Sequence, residues 1–171
     1  MTPQEFKIRV FSLKNKLYRF AKRILEDPEE AKDIVQEVFI KLWNKKEKLV
    51  EYRSVEALAM VTTRNLCLDK LKAKKYPSES IDNLRNEVEE TGYEEKMDLS
   101  DMVQKIHNII KTLPELQRTV IQLRDIEGYD FDEISGILDM NENAVRVNLS
   151  RARKKIREIL VNNKFHEYQR N

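Results

Sequence analysis

The sequence predicts an all-α protein of two small helical domains joined by an acidic flexible linker, the C-terminal domain carrying a helix-turn-helix. Three observations predict this. The 171 residues include only 3 Gly and 4 Pro, and 36% of them are charged, a composition with few breakers and many strong helix formers. Apolar residues recur at steps of three and four along both ends of the chain. Between those ends the composition turns acidic and the periodicity fades. The predicted boundaries are 1–76, 77–98 for the linker, and 99–171.

Phe6, Val10, Leu13, Leu17, Phe20 and Ile24 trace one face of a first helix. Asp27 caps a second, with Pro28 in its first turn and Glu30 placed to complete a capping box. Its apolar face carries Ala31, Ile34, Val35, Val38, Phe39, Leu42 and Trp43. The other face carries Lys32, Asp33, Gln36, Glu37, Lys41 and Lys45. Ser54 caps a third helix through Val55, Leu58, Thr62, Leu66 and Leu71, which ends in Lys70, Lys72, Lys74 and Lys75. These helices can pack as one bundle.

From Ser78 to Asp101 the acids are opposed only by Arg85 and Lys96, and Pro77 and Gly92 punctuate the stretch. Periodicity resumes at Met102, Val103, Ile106, Ile109, Ile110 and Leu113. Pro114 interrupts it, and Leu116, Val120 and Leu123 carry a further helix to a turn at Glu127-Gly128-Tyr129. Asp130 with Glu133 forms a capping box that opens Phe131–Leu138. A break at Asp139-Met140-Asn141 leads into a long basic helix that packs through Val145, Leu149, Ala152, Ile156 and Ile159. Small residues at Ser135 and Gly136 would let two helices approach closely.

A short helix, a tight turn and a second helix with outward cations is a device for entering a major groove. The second helix presents Arg146, Arg151, Arg153, Lys154, Lys155 and Arg157 against a single acid, Glu158. Its early residues Asn143, Arg146, Asn148 and Arg151 are the candidate base readers, since Arg pairs with guanine and Asn with adenine through two hydrogen bonds. Arg153, Lys154 and Lys155 suit phosphates. In the first domain Arg64, Asn65, Lys70, Lys72, Lys74 and Lys75, with Tyr52 and Arg53 in the preceding loop, suit a single strand with a stacked base; a solvated basic face would look the same.

Other classes are poorly supported. The net charge is only +2, so the charge is patterned rather than uniform. One cysteine, Cys67, excludes an internal disulfide and fits a reducing cytoplasm as a buried thiol. Lys7 and Arg9 interrupt any signal-peptide pattern, and no apolar run approaches the ~20 residues of a membrane span, so no membrane insertion is expected. His107 and His166 stand apart from any metal-ligand spacing or Gly-rich phosphate loop, so no enzyme, metal or cofactor is expected.

Three motifs resemble bacterial sigma factors of the sigma-70 family. Ala31-Lys32-Asp33-Ile34-Val35-Gln36-Glu37-Val38-Phe39-Ile40-Lys41-Leu42-Trp43 is similar to region 2, which docks on RNA polymerase. Arg64-Asn65-Leu66-Cys67-Leu68-Asp69-Lys70-Leu71-Lys72 resembles the stretch that contacts the minus-ten promoter element. Leu113-Pro114-Glu115-Leu116-Gln117-Arg118, followed by Tyr129-Asp130-Phe131-Asp132-Glu133-Ile134, resembles region 4, which reads the minus-thirty-five element. Nothing occupies the place of a region 3 domain, as in the extracytoplasmic-function group.

The resemblance implies a factor that gives core RNA polymerase its promoter specificity, serving a stress or envelope regulon under an anti-sigma factor. It implies that Asp33, Gln36, Glu37 and Phe39 grip the clamp of the largest polymerase subunit and that region 4 meets the flap. Asn65 falls near a flipped minus-ten base, held by a loop at about Val50 to Ser54. The acidic linker matches a segment threaded toward the polymerase active centre; a plain tether fits it equally. Leu58 and Ala144 depart from the tryptophan and threonine frequent in the family, and the only tryptophan, Trp43, lies on the packed face rather than in a DNA wedge. An autonomous helix-turn-helix regulator is the alternative reading, but it leaves the Asp33 helix without a task.

Overall fold

The computed structural model describes residues 1–75 and 101–170, the side chains of 164–170 apart. The predicted linker, 77–98, lies outside the described residues, as does the His166 side chain. The described residues form helices and turns with no strand.

The first predicted helix is two. Helix α1 (Pro3–Arg9) starts at a Thr2–Glu5 capping box with Pro3 in its first turn. A 3-10 turn at Phe11–Leu13 leads into α2 (Lys14–Leu25). The break still leaves the predicted face inward, with Phe6, Val10, Leu13, Leu17, Phe20 and Ile24 all buried. At the break Phe11 meets Phe6 edge-on at 5.5 Å between ring centres and Phe39 at 4.9 Å. Those ring contacts favour the tighter turn over a continuous helix.

Asp27 caps α3 (Pro28–Asn44) by accepting from the Glu29 and Glu30 backbone N–H groups. Glu30 does not close the expected box. Its carboxylate instead takes Lys74 at 2.7 Å, because the end of α4 lies beside it. Ser54 caps α4 (Val55–Lys75) through the Ala57 N–H, as predicted. The buried residues of α4 are Val55, Ala59, Met60, Thr63 and Cys67, while Leu58, Leu66 and Leu71 are half-buried. The helix packs on α2, α3 and α7. Covered from several directions, it has no single apolar stripe to read. Burial pushes the Cys67 thiol up to about 12, so it stays protonated and unreactive at neutral pH.

The second half holds α5 (Asp101–Lys111), α6 (Glu115–Ile121), α7 (Phe131–Leu138) and α8 (Glu142–Arg170). The sequence continues α6 as one helix through Leu123. The structure instead opens a π turn at Gln122–Ile126, closed by the Glu127 N–H on the Gln122 carbonyl at 2.9 Å. Gly128 then reverses the chain at φ 81°, where a side chain would be strained.

The two halves pack on each other, α2 against α6 and α4 against α7, and their apolar cores are continuous. A polar seam lines this contact. Arg19 donates twice to the Glu127 carboxylate, at 2.7 and 2.9 Å, and Gln122 donates to it at 3.0 Å. Arg23 donates to Gln122 at 3.1 Å, and Arg118 pairs with Glu26. Glu56 accepts from Lys16 at 2.6 Å and from the Tyr129 hydroxyl. The Glu127 side chain is only 3% exposed, so this carboxylate depends on its donors.

Glu127→Gln should loosen the contact by about 1–2 kcal/mol, as expected for a lost hydrogen-bonded charge. Arg19→Glu should loosen it further, and adding Glu127→Arg to that variant should recover part of the loss. Fluorescence energy transfer between labels on the two halves reads the separation.

A pH dependence follows from the same seam. Burial raises the Glu56 carboxyl, but the hydrogen bonds from Lys16 and Tyr129 outweigh it and hold the group below its ordinary 4.5. Its contribution is present above that value and is lost as pH falls through the lower folded one. Burial, then the bond to Glu56, raises the Tyr129 phenol above its ordinary 10.0; its contribution is complete below that pH and is lost above it. The same energy-transfer signal should be level between the two ordinary values and fall on either side. Glu56→Gln should shrink the acid limb.

Candidate nucleic-acid interface and docking face

The helix-turn-helix is held by local hydrogen bonds. Asp130 and Glu133 close the predicted capping box at 2.9 Å in both directions. At the far end of α7, Asp139 takes the left-handed conformation at φ 52°, a place glycine usually fills and aspartate tolerates. The Ser135 hydroxyl donates to the Met140 carbonyl and braces the turn. Gly136 has a different role from the expected one: a Cβ there would meet nothing within 4 Å, so no helix presses on it. Asn141 caps α8 by accepting from the Ala144 N–H at 2.7 Å, so alanine at 144 leaves the cap intact.

Val145, Leu149 and Ala152 hold the inner side of α8 against the core. Asn143, Arg146, Arg151, Arg153 and Lys154 are exposed, and Asn148 is half-buried. Asn148 uses its amide nitrogen on the Ala144 carbonyl at 2.9 Å. Arg153 is engaged by Asp125 through two bonds, at 2.6 and 3.0 Å, and the first of its influences, that hydrogen bond, raises its pKa further. Arg151 and Lys154 project outward, Lys154 with 74% of its side chain exposed. Arg146, Ser150, Arg153, Lys154 and Arg157 rim a cleft floored by Phe131 and Leu149. Ser150 and Arg157 were absent from the predicted base readers and phosphate contacts, though each sits three or four residues from a member of that set.

On α4, Arg64 is half-buried, and Asn65 and Lys72 are exposed. At about 100° per residue Asn65 and Lys72 share a face with Arg64 beside it, whereas Lys70 falls on the opposite side. Lys70 is also half-buried, close enough to Cys67 to favour its thiolate. Tyr52 and Arg53 are exposed in the loop that leads to the Ser54 cap, Tyr52 at the end of a 3-10 turn, Lys48–Glu51.

Asp33, Gln36 and Glu37 are exposed together on α3. Phe39 is half-buried, flanks this row one turn from Gln36, and meets the Phe11 ring. Ile40 is 61% exposed and completes the 33, 36, 37, 40 row. That helical spacing was legible in the sequence, but Ile40 was assigned there to neither face of the helix. Trp43, expected on the packed face, lies with one edge against Phe6 at 5.0 Å and with Lys46 over its ring at 3.9 Å, leaving it 38% exposed.

Comparison with known proteins bears on these surfaces. Residues 10–76 match the family model of sigma-70 region 2, and residues 103–156 match that of sigma-70 region 4. The chain belongs to the sigma-70 family, in the extracytoplasmic-function group. It is 26% identical to the RNA polymerase sigma-H factor of Pseudomonas aeruginosa over 170 residues, covering 91% of this chain and 86% of that one. It is 29% identical to the ECF RNA polymerase sigma-E factor of Escherichia coli over 136 residues, covering 72% of this chain and 70% of the other. Its fold is similar to the sigma factor RpoE of Bartonella quintana, solved with the anti-sigma factor NepR, at a TM-score of 0.65 and 20% identity, covering 92% of this chain and 97% of that one.

Asn141→Ala should cost about 1 kcal/mol in urea unfolding, and Asn141→Asp should keep most of it. Gly136→Ala should stabilise the same domain by about 0.5–1 kcal/mol, because the site is helical, exposed and unobstructed.

Proposed function

We propose that this sigma factor binds core RNA polymerase through the Asp33, Gln36, Glu37 row of α3, with Phe39 flanking that row and Ile40 adding an apolar contact. Tyr52, Arg53, Arg64, Asn65 and Lys72 then meet the opening minus-ten strand. Lys70 contributes charge from the far side of α4. Asn143, Arg146, Asn148 and Arg151 read the upstream element, and Arg153 and Lys154 hold phosphates, Arg153 by exchanging Asp125 for DNA. The observation that carries this reading is that the acidic docking row and the basic recognition helix are both exposed on one chain. An autonomous regulator needs only the second. No chemistry is required of the protein beyond binding, and it acts in the cytoplasm, where the polymerase is.

The two contacts cannot be made from the arrangement described. Elements at minus ten and minus thirty-five lie about 25 base pairs, hence about 85 Å, apart at 3.4 Å per step. A folded chain of this length has a radius of gyration of about 15 Å. Engaging both elements therefore separates the halves at the Arg19–Glu127 seam. The Bartonella relative was solved with an anti-sigma factor. We extend that mode of control to this chain: a partner that favours the packed halves opposes transcription. The domain limits 1–76 and 99–171 and the linker 77–98 belong to the same proposal.

The test is transcription by core polymerase with and without the protein on a genomic library, with mapping of start sites. New starts that require the protein are expected, and association with core should fall in Asp33→Ala and Gln36→Ala. Tight binding to an operator without any association with core would overturn the reading. Lys154→Ala should weaken all promoters alike and flatten their salt dependence.

A further inference from the structure

Arg146 is more constrained than an exposed arginine on a long helix ordinarily is. Its guanidinium carbon lies 3.8 Å above the centre of the Phe131 ring. That height is the one at which a guanidinium stacks face-on over an aromatic ring. A second tether, Glu142, lies one turn earlier on α8 at 3.5 Å. Even so, 55% of the Arg146 side chain remains exposed. One side of the guanidinium meets the ring, one terminal nitrogen faces Glu142, and the rest of the group is reachable from solvent.

Phe131 is itself firmly placed. It is the first residue of α7, directly after the Asp130 cap, and it is half-buried at the foot of the basic cleft. Arg124 also lies over this ring, at 4.7 Å, but it donates to the Tyr129 carbonyl at 2.8 Å. Arg124 therefore turns a donor inward and helps fix the ring, whereas Arg146 is left to meet a ligand.

We propose that Phe131 is a positioning residue for promoter choice: its ring holds the Arg146 guanidinium with the donor edge directed at the groove, so that Arg146 discriminates a guanine rather than a nearby phosphate. The reason lies in what each target demands. A phosphate accepts a cation from many directions. A guanine O6/N7 pair accepts only a planar fork of fixed orientation. An untethered arginine samples both, and stacking on an aromatic face removes the rotations that lead to the phosphate. The inference rests on the proposed upstream-element role of α8.

The test uses the full-length protein with core polymerase on a promoter series in which each upstream base is changed singly. Arg146→Ala first identifies the base pair whose change ceases to matter. At that pair, Phe131→Leu should reduce the preference for the original base about three- to five-fold, in line with a partly exposed cation–π contact. Transcription from promoters differing elsewhere should keep its ranking. Phe131→Tyr, which keeps the ring, should restore the preference. In an Arg146→Ala background Phe131→Leu should change the preference no further.

An unchanged preference in Phe131→Leu would overturn the proposal. So would an equal loss on every promoter, no recovery in Phe131→Tyr, or the same added effect without Arg146. If Arg146→Ala leaves every base preference intact, both the reading role of Arg146 and this proposal fall. Protein-dependent transcription would still stand in that case, which keeps the two failures distinct.

Discussion

The Glu127 carboxylate organises this molecule. It sits at the exit of a π turn, almost fully enclosed, and takes its donors from both halves of the chain: Arg19 from α2 and Gln122 from the π turn itself. A charge so enclosed is tolerable only while its partners are present. Lys16, Arg19 and Arg23 fall on successive turns of α2, and Gln122, Glu127 and Tyr129 answer them from within eight residues of chain. The wider turn is what brings those residues out toward α2, in keeping with the way π segments gather at functional places.

The seam is polar at its margin and apolar within. Small helical bundles of this size bury limited apolar area by themselves, and here the two share one continuous core. Their mutual contact adds stability to each, while its ion pairs make the join sensitive to charge, salt and pH. That combination suits halves that part without either unfolding, as the proposed function requires.

The contact leaves the candidate binding surfaces uncovered. The Asp33 row, the Tyr52–Arg53 loop, Asn65, and the outer side of α8 all face solvent while the halves are packed. What the packed arrangement restricts is distance. Under the proposed function it holds the two surfaces closer together than their DNA elements lie, and control would act through separation of the halves rather than through masking of individual side chains.

Much of this was present in the sequence. The caps at Asp27, Ser54 and Asp130 and the face from Phe6 to Ile24 depend on groups a few residues apart, and such interactions follow local spacing. The exposure of Asp33, Gln36, Glu37, Arg146 and Arg151 followed from the apolar stripes opposite them. Other features needed the tertiary structure. Glu30 left its expected cap for Lys74, 44 residues away; Leu58 and Leu66 are only half-buried because α4 is covered from several directions; and Arg153 turned to Asp125. Arg19 and Glu127 are 108 residues apart, and Glu56 and Tyr129 are 73. By itself the sequence determined most of the helices, the principal apolar faces and the family, because these arise from short-range periodicity and hydrogen bonding; the breaks at Phe11–Leu13 and Gln122–Ile126 came from the fold. Only the fold decided which charges meet across the two halves and which arginine lies on which ring, because a long polar side chain is compatible with many partners until packing leaves it one.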